Sequence, residues 1–128
     1  MKKSHLLLAA ILASGSVFAQ NVDFANLRDG DTVTSPFVVR FVVKDMEVVP
    51  AGEVKPGTGH HHILIDIPAV ADNSVIPADA QHKHFGKGQT ETELTLPPGE
   101  HTLSLQFADG LHRSYGEAYR KTIRVTVK

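Results

Sequence analysis

Apolar and polar positions alternate with a period of two along most of the chain from Asn21 onward. No segment of about 11 residues or more keeps its apolar side chains at the spacing of an amphipathic helix. The alternation therefore predicts β-strands throughout, beginning at Val22 and Phe24 and continuing at residues 32–34, 36–44, 60–67, 90–96, 101–108 and 121–127. The β-branched and aromatic run at 37–43 predicts a strand that is buried on most of both faces.

Turn and loop signals separate these strands. Asp29-Gly30, Pro97-Pro98-Gly99 and Asp109-Gly110 are typical turn sequences, because Pro presets φ and Gly accepts a positive φ. Residues 50–59 are predicted as a loop, and residues 69–88 as a long loop or short edge strands of the kind that often carry function. About seven short strands with such connections predict an all-β fold, an immunoglobulin-like antiparallel β-sandwich.

The first 19 residues have the layout of a secretory signal peptide. A basic start at Met1-Lys2-Lys3 precedes an apolar stretch, which ends in the small-residue cleavage site Val17-Phe18-Ala19. The apolar stretch is much shorter than the roughly 20 residues of a membrane-spanning helix. We therefore expect a signal peptide at 1–19, one sandwich domain at 20–128, and a periplasmic protein without membrane insertion after cleavage, with secretion as the alternative.

Composition narrows the possible functions further. The chain contains no cysteine, so the core must hold the fold without disulfides, and thiolate chemistry is excluded. Without the two leader lysines, 11 of the 13 basic residues remain against 14 acidic ones. This balance, with no basic patch, argues against nucleic acid as a partner. A metal site would have to use imidazole, carboxylate, thioether or backbone ligands.

Histidine is the most distinctive residue type, since seven of the eight histidines lie between His60 and His112. Strand alternation places His60 and His62 on one face, which is predicted to point outward, and His61 on the isoleucine face toward the core. A second His-x-His pair, His82 and His84, lies in the long loop. If that loop folds back over the strand, the imidazoles of His60, His62, His82 and His84 form a ligand set suited to copper or zinc.

Other roles for the histidines stay open. The four candidate ligands also fit a polar structural network that ties the loop to the sheet, or a pH sensor that titrates near neutrality. His101, after the Pro-Gly turn, is predicted to point inward and to bond a nearby backbone group, by analogy with the tyrosine corner of sandwich domains. His61 is expected to find a hydrogen-bond partner in the core, and His112 is predicted to be a solvated loop residue.

Three segments carry a resemblance to a known family. They are Gly59-His60-His61-His62-Ile63-Leu64-Ile65-Asp66, His84-Phe85-Gly86-Lys87-Gly88-Gln89-Thr90-Glu91 and Leu96-Pro97-Pro98-Gly99-Glu100-His101-Thr102-Leu103. Together they resemble an exported bacterial family described as domain of unknown function 4399 (DUF4399). The resemblance implies a small sandwich-like domain and supplies no catalytic residues. Periplasmic copper carriers of the CopC kind are also small sandwiches, but they use a histidine at the mature N-terminus, where this chain has Gln20-Asn21.

Two hypotheses from different classes follow. The first is an exported metal-binding module with copper as the preferred ion and zinc as the second choice. The alternative is a non-enzymatic module of the cell envelope that binds a protein or glycan, with the histidines forming a structural network. An enzyme is not expected, because Ser74, Ser104 and Ser114 lack a nucleophile-elbow context and no cofactor fingerprint is present.

Overall fold

The computed structural model describes residues 20–128, so the predicted signal peptide at 1–19 lies outside the described residues. The described chain is a sandwich of two β-sheets, which confirms the predicted fold class. Its strands are β1 (Val22–Phe24), β2 (Asp31–Val33), β3 (Phe37–Val43), β4 (Glu47–Val48), β5 (Thr58–Ile65), β6 (His82–His84), β7 (Glu91–Leu94), β8 (Gly99–Ala108) and β9 (Arg120–Val127), with a 3₁₀ turn at Glu117–Tyr119 before β9.

The two sheets differ in size. β1, β3 and β7 form the smaller sheet in the order β1-β3-β7, and the larger follows the order β2-β9-β8-β5-β4 with β6 also paired to β5. β7 and β8 belong to different sheets, so the Pro97-Pro98 turn carries the chain from one layer to the other. β4 and β6 were not predicted as separate strands. β6 lies within residues 69–88, which were predicted to form either a long loop or short edge strands.

β5 is an interior strand of the larger sheet. One of its edges pairs with β8, and the other pairs first with β4 and then with β6. All eight residues of β5 are buried, because both edges are paired and both faces are covered. The strand begins two residues before the predicted start and ends at Ile65.

The hydrophobic core lies between the sheets. Phe41 from β3 meets Ile63 from β5, Phe107 from β8 and Ile123 from β9 in one buried cluster. β3 was predicted to be buried on most of both faces, but its burial alternates and Val42 is half exposed. The prediction was wrong because a run of β-branched residues cannot show that β3 belongs to a sheet with an exposed outer face.

Loops cover the outer face of the larger sheet over β5, whose residues are all buried, but not over β9, where Thr122, Arg124 and Thr126 are exposed. The backbone N–H of Ile76 donates to His112 O at 2.8 Å, and Val75 bridges to Arg113 beside it. Farther along, the guanidinium of Arg120 donates to Val70 O at 2.9 Å. These bonds join the connection between β5 and β6 to the connection between β8 and β9 and to the first residue of β9. Among residues 20–128, no helix has the length and apolarity needed to cross a bilayer.

Candidate metal centre

Four imidazoles converge on the outer face of the larger sheet beneath these loops. The histidine cluster consists of His60, His62, His84 and His112, and one nitrogen from each ring lies within 4.8 Å of the others. The ring centroids of His84 and His112 are 4.6 Å apart, and those of His60 and His62 are 4.7 Å apart. Each of the four rings is therefore in contact with others in the cluster.

Strand geometry explains three of the four positions. His60 and His62 share a face of β5 because side chains alternate along a strand. His84 lies directly opposite His62 in the antiparallel pairing of β5 with β6, and side chains opposite each other in such a pair lie side by side. The short segment β6 therefore adds a third imidazole to the same face.

A tight turn supplies the fourth imidazole. Asp109 begins the connection after β8, and its Oδ1 accepts the backbone N–H groups of Leu111 at 2.9 Å and Arg113 at 3.0 Å. The backbone N–H of His112 donates to Asp109 O at 2.8 Å. His112 itself has a φ of 66°, a left-handed conformation that is uncommon for a residue other than glycine. The turn thereby returns the chain over β5 and directs the His112 ring into the cluster.

Burial keeps the inner imidazoles neutral. His60 and His62 are 0% and 1% exposed. Burial lowers the pKa of His60 to about 4, with His112 and His84 adding to the effect and Asp109 opposing it. Burial, together with the neighbouring imidazoles, lowers the pKa of His62 to about 2. The pKa of His84 is also lowered, mainly by burial and to a smaller extent by the nearby imidazole of His112. At neutral pH these three rings therefore each hold a free lone pair.

Hydrogen bonds alone satisfy this cluster poorly. Nε2 of His60 lies 3.0 Å from Nε2 of His62 and 3.1 Å from Nδ1 of His112. An imidazole nitrogen carries either one hydrogen or one lone pair, so His60 Nε2 can make only one good hydrogen bond of the two. The Nδ1 atoms of His60 and His62 are buried without a hydrogen-bond partner in the described chain. A cation between the rings would bind the nitrogens that face one another, Nε2 of His60, Nε2 of His62 and Nδ1 of His112, and would remove the conflict at His60 Nε2.

Gly86 and the loop between β4 and β5 set the position of the outer ligands. A Cβ atom on Gly86 would overlap the His84 ring, so the absence of a side chain there gives that ring its space. The backbone N–H of Ala51 donates to Gly86 O, and the N–H of Gly52 donates to Gly110 O, both at 2.9 Å. The loop between β4 and β5 thus connects the segment that carries His84 to the turn that carries His112.

The structure brings together three of the four histidines predicted as ligands. His60, His62 and His84 meet, whereas His82 lies opposite Leu64 in the strand register and its Nδ1 is 2.8 Å from Asp79 Oδ1. His112 takes the remaining place and is not the solvated loop residue that was predicted. The sequence signal for it is weak, consisting of an Asp-Gly turn directly after the strand that pairs with β5. His60 and His62 were also predicted to point outward from the domain. They lie on the outer face of the sheet, but loops bury them.

The remaining two histidines have structural positions. His101 Nε2 is 2.8 Å from Pro97 O, and Nδ1 is 2.7 Å from Asp66 Oδ2, which confirms the predicted bond to a nearby backbone group. Its hydrogen bond to Asp66 raises the pKa of His101. His61 lies in the core between Phe41 and Phe107. The prediction that His61 has a hydrogen-bond partner in the core was wrong, because both its ring nitrogens lack one in the described chain.

The chain matches a protein family of unknown function over most of its length. A family model described as "Domain of unknown function (DUF4399)" covers residues 39–128. That range contains all four residues of the histidine cluster, together with the Asp109 turn and Gly86. No match was found among curated proteins or among solved structures.

Proposed function

The chain belongs to the DUF4399 family, and we propose that its function is to bind one transition-metal ion through the histidine cluster. The observation that carries the proposal is the convergence of four imidazole nitrogens within 4.8 Å of one another. The ligands we assign are His60, His62, His84 and His112. His82, which the sequence also suggested, is replaced in this set by His112.

The distances support an ion held by nitrogen ligands. Zn–N bonds of about 2.0–2.1 Å in a tetrahedral site place neighbouring ligand nitrogens about 3.3 Å apart. The contacts of His60 Nε2 with His62 and His112, at 3.0 and 3.1 Å, are close to that spacing. Because the inner rings are neutral at pH 7, an ion meets little competition from protons at these positions.

Ligand type favours copper, with zinc second. Imidazole binds both ions well, and copper stands above zinc in the order of affinities for divalent first-row metals. Calcium and magnesium are disfavoured because both prefer oxygen ligands. Four protein ligands fill a tetrahedral shell, and catalytic zinc sites usually keep one position open for water. This supports a role in binding an ion, and we assign no reaction to the site.

The proposal places this binding outside the cytoplasm. Its support is the amino-terminal sequence pattern, in which basic, apolar and small residues follow one another as in a signal peptide. A periplasmic protein without cysteine could hold copper without thiol oxidation. The function proposed is therefore metal handling in the periplasm.

Calorimetric titration of the tag-free protein with Cu(II), Cu(I) and Zn(II) tests the proposal. We expect one ion per chain with a Kd of about 1 μM or tighter. The double variant His60→Ala/His62→Ala should lose this binding, since it removes both ligands that β5 contributes. Circular dichroism of each variant establishes that the fold is retained.

A matched pair of variants on β6 sharpens the test. His84→Ala and His82→Ala each remove one histidine from the same three-residue strand, but only the first belongs to the histidine cluster. We expect weaker binding for His84→Ala and unchanged binding for His82→Ala. Weak binding that every variant retains would contradict the metal function and favour a structural role for the cluster.

A further inference from the structure

The four ligands of the cluster differ sharply in their access to solvent. His60 and His62 are 0% and 1% exposed and form the floor of the site. His84 is exposed and His112 is partly exposed, and these two form its rim. An ion in the cluster would therefore be reached from outside only past the rim ligands.

The backbones that carry the two pairs also differ. The floor ligands belong to β5, an interior strand of the larger sheet that is hydrogen-bonded along both edges. His84 lies on a three-residue strand that pairs with β5 alone among the described strands, and His112 lies in a turn. Short edge strands and turns open at a lower free energy than central strands. The rim ligands can thus leave the ion while the floor ligands stay in place.

We infer that the site is built for transfer of its ion, with exchange at His84 and His112. This inference rests on the proposed metal function. In each step a donor atom of an incoming ligand forms a bond to the ion as the bond to a rim nitrogen breaks, and the oxidation state of the ion does not change. The floor ligands hold the ion until the acceptor has bound it. The partner class is a metal-binding molecule that presents nitrogen, oxygen or sulfur donors to this face.

The segments beside His112 carry exposed apolar side chains. Three of the exposed large hydrophobic residues lie on the segments that border the His112 turn. They are Leu111 next to His112, Val75 bridged to Arg113, and Val54 after the Glu53 backbone that abuts Gly110. These segments form the surface that an incoming molecule would meet beside His112.

Transfer kinetics test the inference directly. The protein is loaded with Zn(II), and separately with Cu(II), and mixed with increasing concentrations of EDTA. Exchange at the rim predicts a transfer rate that rises in proportion to EDTA concentration, because the chelator binds the ion before the protein releases it. Transfer at one fixed rate, independent of EDTA, would overturn the inference, since it would mean that the ion leaves only after the site opens.

A charge placed beside the rim locates the route. Leu111 and Val42 are both 52% exposed, but Val42 lies on β3 in the opposite sheet. Leu111→Lys should speed transfer to anionic EDTA about two- to threefold at low ionic strength, and salt should remove the effect. Val42→Lys should leave the rate unchanged. Equal rates in both variants would overturn the inferred route.

The equilibrium titration separates this inference from the proposed function. If no ion binds to the unmodified protein, both fail together. If the ion binds with the expected affinity but transfer shows no dependence on EDTA and no effect of Leu111→Lys, the metal function stands and transfer through the rim is refuted.

Discussion

Among single residues, two neighbouring histidines on β5 point to opposite faces of the sheet. His62 points to the cluster, and His61 points to the core, where it contacts Phe41 at 4.8 Å and Phe107 at 4.9 Å between ring centroids. The His61 ring has neither a hydrogen-bond partner nor a place in the cluster. A buried polar group without a partner costs about 1–3 kcal/mol, so His61 lowers the stability of the fold.

Replacing His61 should therefore stabilise the protein. Leu has a similar volume and no polar atoms, and His61→Leu should raise the free energy of unfolding by about 1 kcal/mol after the loss of the aromatic contacts. Urea denaturation of the metal-free protein at pH 7 measures this change. Metal affinity should stay the same, because His61 faces away from the cluster. A loss of more than about 1 kcal/mol would show that the ring makes bonds that the structure does not contain.

At the scale of elements, short connections place the outer ligands. His84 depends on the register of β6 against β5 and on the space beside Gly86. The backbone of Gly86 does not require glycine, since its φ is not in the left-handed range. Glycine is needed there only because a Cβ atom would overlap the imidazole of His84. A single methyl group at position 86 can therefore disturb one ligand without straining the chain.

Gly86→Ala should weaken metal binding by displacing the His84 ring. We expect a loss of about 10- to 100-fold in affinity, as is usual when the support of a ligand is removed, with little change in thermal stability. Calorimetry on Gly86→Ala, His84→Ala and the double variant measures the coupling between the two positions. Once His84 is absent, Gly86→Ala should have no further effect. Additive losses in the double variant would refute the steric explanation.

At the scale of the whole molecule, burial of several histidines links the fold to pH. Burial lowers the pKa of His60 and His61 to about 4 and that of His62 to about 2, whereas a histidine in the unfolded chain titrates near 6.5. Below pH 6.5 the unfolded chain binds protons that the folded chain does not. The resulting stability is present above pH 6.5 and is lost as pH falls toward 4.

The metal-free protein should accordingly unfold on mild acidification. With three such histidines, the free energy of unfolding changes by at most about 4 kcal/mol per pH unit. This change is large compared with a typical total stability of about 5–15 kcal/mol. Denaturant titrations at pH 7.5, 6.5 and 5.5 should show a steep loss of stability, and Zn(II) should shift that loss to lower pH. His61→Leu should reduce this slope by about one third, because the unfolded chain then has one fewer histidine that binds a proton. Equal stability at all three pH values would contradict the assigned burial.

Alternation along the chain was enough to predict most of the strands and the faces of their side chains. A period of two is a local property, so the sandwich, the core face with Ile63 and Ile65, and the shared face of His60 and His62 could all be predicted from it. The local turn chemistry around Pro97 was likewise enough to predict the backbone bond of His101.

Which imidazoles meet depends on strand register and on the loops, and neither could be predicted from the alternation. His82 and His84 share a face of β6, but the register sets His84 opposite His62 and His82 opposite Leu64, about 7 Å farther along the strand. His112 reaches the cluster because β8 pairs with β5 and the Asp109 turn folds back over that pair. Register and loop closure depend on residues that are far apart in the chain, so alternation along one strand carries no information about them.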